Sequence, residues 1–108
     1  MTLEDRVRQY YSLLGEGKPK ELAAMFTDDN MVVDFRGVQH QGTGVVRMFE
    51  LYPAGTKIEP ISMSTDGKSV RVSFKIAGGP PGRASEGEDY FVFYADKIRT
   101  LKTTLPPV

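Results

Sequence analysis

Three polar side chains stand where they could do chemistry: Tyr10, Asp34 and Asp89. Tyr10 belongs to a helical apolar stripe with Leu3, Val7 and Leu14, which turns it inward and leaves Tyr11 on the flank. Asp34 lies on a short strand-like run, Val32 to Arg36, and Asp89 shares one face of a later strand with Phe91 and Phe93. A buried phenol needs a hydrogen-bond partner. A carboxyl group among aromatic rings has its charged form disfavoured, so its pKa rises and a protonated Asp89 would donate at neutral pH. Two donors converging on one point, Tyr10 and Asp89, make an oxyanion hole, and an ionised Asp34 opposite them makes a general base. Such a set suits removal of a proton next to a carbonyl.

Each residue also has a plainer reading. Tyr10 at helical spacing is equally a core residue with its hydroxyl on a backbone carbonyl. Asp34 alternates with Val32 and Arg36, so Met31, Val33 and Phe35 could instead form the core face and leave Asp34 in water. Asp89 closes the acidic run Glu86-Gly87-Glu88-Asp89 and could be its last solvated member. His40, in Val38-Gln39-His40-Gln41, reads as a loop residue, with a substrate contact as the alternative.

The elements that must position these groups follow from local signals. Thr2 and Asp5 form a variant capping box ahead of the first helix, and Gly15 and Gly17 end it. Pro19 opens a second helix whose buried side is Leu22, Ala23, Met25 and Phe26. Asp28, Asp29 and Asn30 then turn the chain into the strand that carries Asp34, and residues 37–44 read as a loop. Thr43 caps a third helix with Val45, Val46, Phe49 and Tyr52 inward, stopped by Pro53-Ala54-Gly55. Residues 57–64 form a strand broken by Pro60, which argues for an edge or a bulge. Thr65-Asp66-Gly67-Lys68 is a hairpin turn, followed by a strand with Val70, Val72, Phe74 and Ile76 inward. Gly78-Gly79-Pro80-Pro81-Gly82 is a loop, residues 84–95 a central strand with apolar groups on both faces, and Ile98–Leu105 a last strand ended by Pro106-Pro107. Helices early and strands late argue an α+β fold, with helices packed on one face of a curved sheet.

At 108 residues the chain reads as one domain, residues 1–108. Lys plus Arg and Asp plus Glu number 14 each, and no basic run offers a phosphate backbone a partner, which argues against nucleic acid. With no cysteine, disulfides and thiolate chemistry are excluded, and a lone His argues against a transition-metal site. Met1 to Arg6 has no apolar leader and no apolar run reaches about 18 residues, so the expectation is a cytoplasmic protein with no membrane partner.

The chain resembles the nuclear-transport-factor-2-like (NTF2-like) superfamily, closest to its SnoaL-like and ketosteroid isomerase branches. The resemblance is carried by Val7-Arg8-Gln9-Tyr10, Leu22 to Asp29, Val33 to Gly37 and Gly42 to Phe49, then by Val72-Ser73-Phe74, Asp89 to Phe93 and Lys97-Ile98. It implies a cone: a curved, mostly antiparallel sheet wrapped around three helices, with a pocket at the open end. It assigns Tyr10 and Asp89 as donors to a substrate oxygen and Asp34 as the base, with Phe49, Glu50, Phe74 and Phe91 lining the pocket. Phe35 stands where a Pro usually follows the base. Glu50 stands where a Tyr commonly supports the helix-one Tyr; reaching Tyr10 it would compete for the phenolic proton, whereas on the solvent side it would not. The resemblance also implies a homodimer through the face bearing Tyr90, Val92 and Tyr94.

The function expected is therefore a ketosteroid-isomerase-like enzyme, moving a proton between carbons conjugated to a ketone through a dienolate. Its ligand would be small, apolar and carbonyl-containing, and the chemistry calls for no cofactor and no metal. The alternatives are an epoxide-hydrolase-like enzyme, with Asp34 or Asp89 activating water beside an Arg, and a non-catalytic ligand-binding or dimerisation module of the same fold.

Overall fold

The computed structural model describes residues 2–50, 57–77 and 86–105. Tyr52, the Pro53–Gly55 stop, the Gly/Pro-rich loop at 78–82 and Pro106-Pro107 lie outside the described residues. Helix α1 (Leu3–Glu16) starts where the Thr2 hydroxyl accepts from the Asp5 amide while the Asp5 carboxylate accepts from the Thr2 amide. It stops at Gly17, whose φ of 68° only glycine adopts without cost. Helix α2 (Pro19–Ala23) is shorter than its apolar residues suggest, because Phe26 already pairs with Ile98 as the first residue of strand β1 (Phe26–Val33).

The acid-rich stretch thus lies inside a strand rather than in a turn. Between its Phe26↔Ile98 and Met31↔Thr100 pairings, β1 advances five residues while its neighbour advances two, so the strand bulges by three extra residues. Buried Asn30 closes that bulge, its Nδ2 donating to the carbonyls of Thr27 (2.8 Å) and Gly42 (3.3 Å). Strand β2 (Gln39–Gln41) was expected as loop. It pairs antiparallel with β1 through Val32↔His40, and residues 34–38 form the hairpin tip between them.

Helix α3 (Gly44–Glu50) follows, then four strands: β3 (Lys57–Asp66), β4 (Ser69–Ala77), β5 (Glu86–Tyr94) and β6 (Lys97–Thr104). The sheet order is β2-β1-β6-β5-β4-β3, with β1 and β6 parallel and the other neighbours antiparallel. Pro60 sits on edge strand β3 beside a register shift, where its missing N–H breaks no interior ladder. Register shifts in β1, β3 and β5–β6 bend the sheet around the helices.

The core lies on the concave side, where α1 and α3 meet the inward residues Val32, Val70, Val72, Phe91, Phe93, Ile98 and Leu101. Cross-strand register arranges that face in rows. Val32, Leu101, Phe91 and Val70 form one row. Two residues further along the sheet, Asp34 (one position past the last β1 pair), Thr103, Asp89 and Val72 form the next. Both carboxylates of interest therefore share a row, separated by the single strand β6.

Candidate active site

Asp89 is 2% exposed, held on central strand β5 between β4 and β6. Its Oδ2 accepts from the Tyr11 hydroxyl at 2.6 Å and its Oδ1 from the Thr103 hydroxyl at 2.5 Å. Burial pushes its pKa up, and the hydroxyls of Thr103 and Tyr11 oppose the shift by favouring the ionised form, leaving it at about 6. The expected rise is present, and the two hydroxyls that donate to Asp89 limit it.

The phenol that reaches Asp89 belongs to Tyr11, not Tyr10. The buried stripe of α1 is wider than one residue per turn and includes Val7, Tyr10, Tyr11 and Leu14, so Tyr11 faces inward and not along the flank. Tyr10 is instead an aromatic hub, its ring edge-on to Tyr11 (5.1 Å), Phe91 (5.2 Å) and Phe49 (5.9 Å). Tyr10, Tyr11 and Asp89 are thus brought together, with the tyrosine roles exchanged. Thr103 shares the inward face with Leu101, but alternation counted from Ile98 points it outward, because the β5–β6 register shift lies between Ile98 and Thr100.

Asp34 is equally enclosed, at 5% exposure, yet its surroundings act in the opposite sense. Val32 and Asp34 face inward while Met31 and Phe35 are exposed, which resolves the alternation of β1. Asp34 Oδ1 accepts from the Arg36 amide (2.8 Å) and the Val38 amide (3.2 Å). Oδ2 meets Arg36 Nη2 at 2.8 Å and His40 Nε2 at 2.9 Å. Burial alone would raise the pKa, but the side chains of Arg36 and His40 and the two amides together hold it well below the usual carboxylate range. His40, read as a loop residue, is therefore part of the site; the strand-like pairing opposite Val32 that puts it there leaves no apolar alternation in Gln39-His40-Gln41.

Phe91 and Phe74 are buried in the rows on either side of this one and Phe49 is buried against Tyr10 and Phe26, whereas Glu50 lies on the solvent side of α3. Competition of Glu50 for the Tyr10 proton is thereby removed. Gly87, two residues before Asp89 on the same face, is fixed by close packing. An added Cβ would stand 2.5 Å from Leu105 Cδ2, 2.7 Å from Phe74 Cζ and 2.8 Å from the Thr104 carbonyl. No helix among the described residues is long and apolar enough to cross a membrane.

No family model and no curated protein matches the chain. Solved structures do, and they define the fold as the NTF2-like cone, an α+β architecture with a curved, open sheet. A candidate polyketide cyclase from Sinorhizobium meliloti matches with a TM-score of 0.83 at 24% identity, over 93% of this chain and 94% of its own. A candidate ketosteroid isomerase from Kribbella flavida matches with a TM-score of 0.83 at 17% identity, over 98% of this chain and 78% of its own. An epoxide hydrolase/cyclase-like enzyme of pyran ring formation in the polyether salinomycin matches with a TM-score of 0.78 at 22% identity, over 96% and 90%. At these identities the likeness is one of fold.

Proposed function

We propose that the protein is an acid–base enzyme of the isomerase or cyclase kind, acting by proton transfer alone on a small, largely apolar, carbonyl-bearing molecule. The observation that carries the proposal is the split between two carboxylates of one row: Asp34 held ionised, Asp89 tuned to about 6. Environments that drive a pair of acids apart give them different roles, here a fixed negative charge at Asp34 and a group that gains and loses a proton at Asp89. Asp89 and Tyr11 form a relay. When Asp89 is ionised the phenol donates to it; when Asp89 is protonated that bond reverses, and the phenolic proton turns toward a ligand oxygen. Matched solved structures described as an isomerase, a polyketide cyclase and an epoxide hydrolase/cyclase-like enzyme are compatible with such chemistry.

The ketosteroid-isomerase form of the proposal keeps the dienolate and the oxygen-binding role of Asp89, and places Tyr11 where Tyr10 was expected. The test is conversion of a 5-ene to a 4-ene 3-ketosteroid, run beside a polyketide-like β-diketone and an epoxide, since Arg36 on Asp34 also fits water activation. Turnover of one substrate that falls at least 100-fold in Asp89→Leu supports the proposal. Tight binding of phenols or steroids with no turnover of any of the three replaces it with a non-catalytic binding module. That second reading draws on the occupied oxygens of Asp89 and its 2% exposure.

We further propose that the molecule is a homodimer. Tyr90 and Val92 are half-buried on the outer sheet face and Tyr94 is 56% exposed beside them. Sedimentation at micromolar concentration reads the dimer directly, and Tyr94→Glu should shift it to monomer.

A further inference from the structure

We propose that His40 is a catalytic proton carrier of this site and that Asp34 is its positioning residue, a division of roles that rests on the acid–base reading above. Asp34 cannot easily take a proton from a substrate. A carboxylate offers about four lone-pair sites, and all four are used: two backbone amides on Oδ1, Arg36 and His40 on Oδ2. Binding a proton there would break a charge-assisted bond in a buried setting.

The same bonds define His40. An ionised carboxylate only accepts, so the ring nitrogen against it, Nε2, carries a hydrogen. In the neutral ring that leaves the lone pair on Nδ1, which makes Nδ1 the basic atom. Nδ1 has no hydrogen-bond partner among the described residues, and the side chain is 17% exposed. Register puts the ring on the working face, because His40 pairs directly opposite Val32, a core residue of the concave side. The charged groups around it are Asp34 and Arg36 from the β1–β2 hairpin; Arg47 and Glu50 of neighbouring α3 are exposed. A base held in one tautomer by an aspartate on its other nitrogen is a recurrent catalytic arrangement.

The step balances without any co-reactant. Nδ1 takes the proton from the carbon next to the carbonyl, and the C–H pair becomes the new carbon–carbon double bond. In the form with Asp89 protonated, the carbonyl oxygen gains the phenolic proton of Tyr11, which is replaced from Asp89 and leaves Asp89 ionised. Return of the His40 proton to the far carbon, with the oxygen's proton going back through Tyr11, restores the carbonyl and both residues. His40 and Asp89 sit three strands apart, about 14 Å at ~4.8 Å per strand before side-chain reach is subtracted. The reacting carbon and the carbonyl oxygen of a substrate lie only two bonds apart, so His40 Nδ1 and the Tyr11 hydroxyl have to meet them together across that span.

Nitrogen-15 correlation spectra of the imidazole, together with turnover on the three-substrate panel, test this. Expected are an Nε2–H tautomer in the wild type, lost in Asp34→Asn, and a fall in kcat of at least 100-fold in His40→Gln with KM within about threefold. Added imidazole should restore part of the activity of His40→Ala, which a purely structural role would not permit. An Nδ1–H tautomer, or wild-type turnover unimpaired in His40→Gln, overturns the role of His40 alone and leaves the Asp89 relay standing. A wild type silent on all three substrates overturns the acid–base reading and this role with it.

Discussion

Asp34 and Asp89 lie on the same row of the same concave face, both almost sealed from water, and yet they are opposite acids. Asp34 receives four hydrogen bonds, one of them from a guanidinium, at a hairpin tip where backbone amides converge. Asp89 sits mid-strand, where every amide is engaged in the sheet ladder, and only two hydroxyls are left to answer its charge. Burial penalises both; the number and charge of the donors decides the sign. Position in the secondary structure thus sets the chemistry: a hairpin tip supplies free N–H groups, and the middle of a sheet does not.

The largest effect should come from deleting the Asp34 carboxylate. Asp34→Ala would leave two hairpin amides and His40 without their acceptor, and should cost about 2–4 kcal/mol in urea unfolding at pH 7. Its stabilisation has a definite sign with pH. The folded pKa is lowered, so the contribution is complete above the ordinary Asp value and is lost as pH falls toward the folded one. A loss under about 0.5 kcal/mol would mean that solvent serves the hairpin as well as Asp34 does.

Asp89 should show the reverse slope in a different window. Its pKa rises from 3.8 to about 6 on folding, so its contribution is complete below about 4 and lost as pH climbs through 6. The span corresponds to about 3 kcal/mol between pH 4 and pH 8. Asp89→Asn should flatten that part of the stability profile. An unchanged profile would locate the slope elsewhere and end the contrast between the two acids.

Gly87→Ala probes how tightly the Asp89 side of the row is closed. Its new methyl group meets Leu105, Phe74 and the Thr104 carbonyl, and a backbone oxygen yields less readily than a side chain. A cost of about 1–3 kcal/mol in thermal or urea unfolding is expected. Paired with Phe74→Leu, which clears one of the three contacts, the loss should shrink; independence of the two changes would show that the sheet itself shifts.

Much of this is legible in the sequence alone. The capping box at Thr2, the alternation of Val70, Val72 and Phe74, and the edge placement of Pro60 all depend on neighbours in sequence, and they stand as read. What sequence did not disclose depends on partners far along the chain. Gln39-His40-Gln41 is a strand only because β1 lies beside it. Asp28 and Asp29 lie in the β1 bulge, which Asn30 ties to the distant Gly42. In the site, type and spacing single out Asp34 and Asp89 and offer His40 as an alternative substrate contact, whereas they leave Tyr11 on the flank and give no sign of Thr103. Tyr10 and Tyr11 are adjacent on a broad apolar face, and only the position of Asp89 across the core chooses between them.

That choice supplies the smallest and most selective prediction, read on the Asp89 carboxyl carbon by carbon-13 titration. Tyr11→Phe removes a donor that favours the ionised form, so the Asp89 midpoint should move above 6, by about one pH unit for a hydrogen bond worth about 1.5 kcal/mol. Thr103→Val should act in the same direction, since it removes the other hydroxyl. Tyr10→Phe keeps the ring that packs on Phe49 and Phe91 and removes no donor from Asp89, so the midpoint should stay within about 0.2 units. If Tyr10→Phe moves Asp89 as far as Tyr11→Phe does, the two phenols act as one network, and the relay would have to be drawn through both.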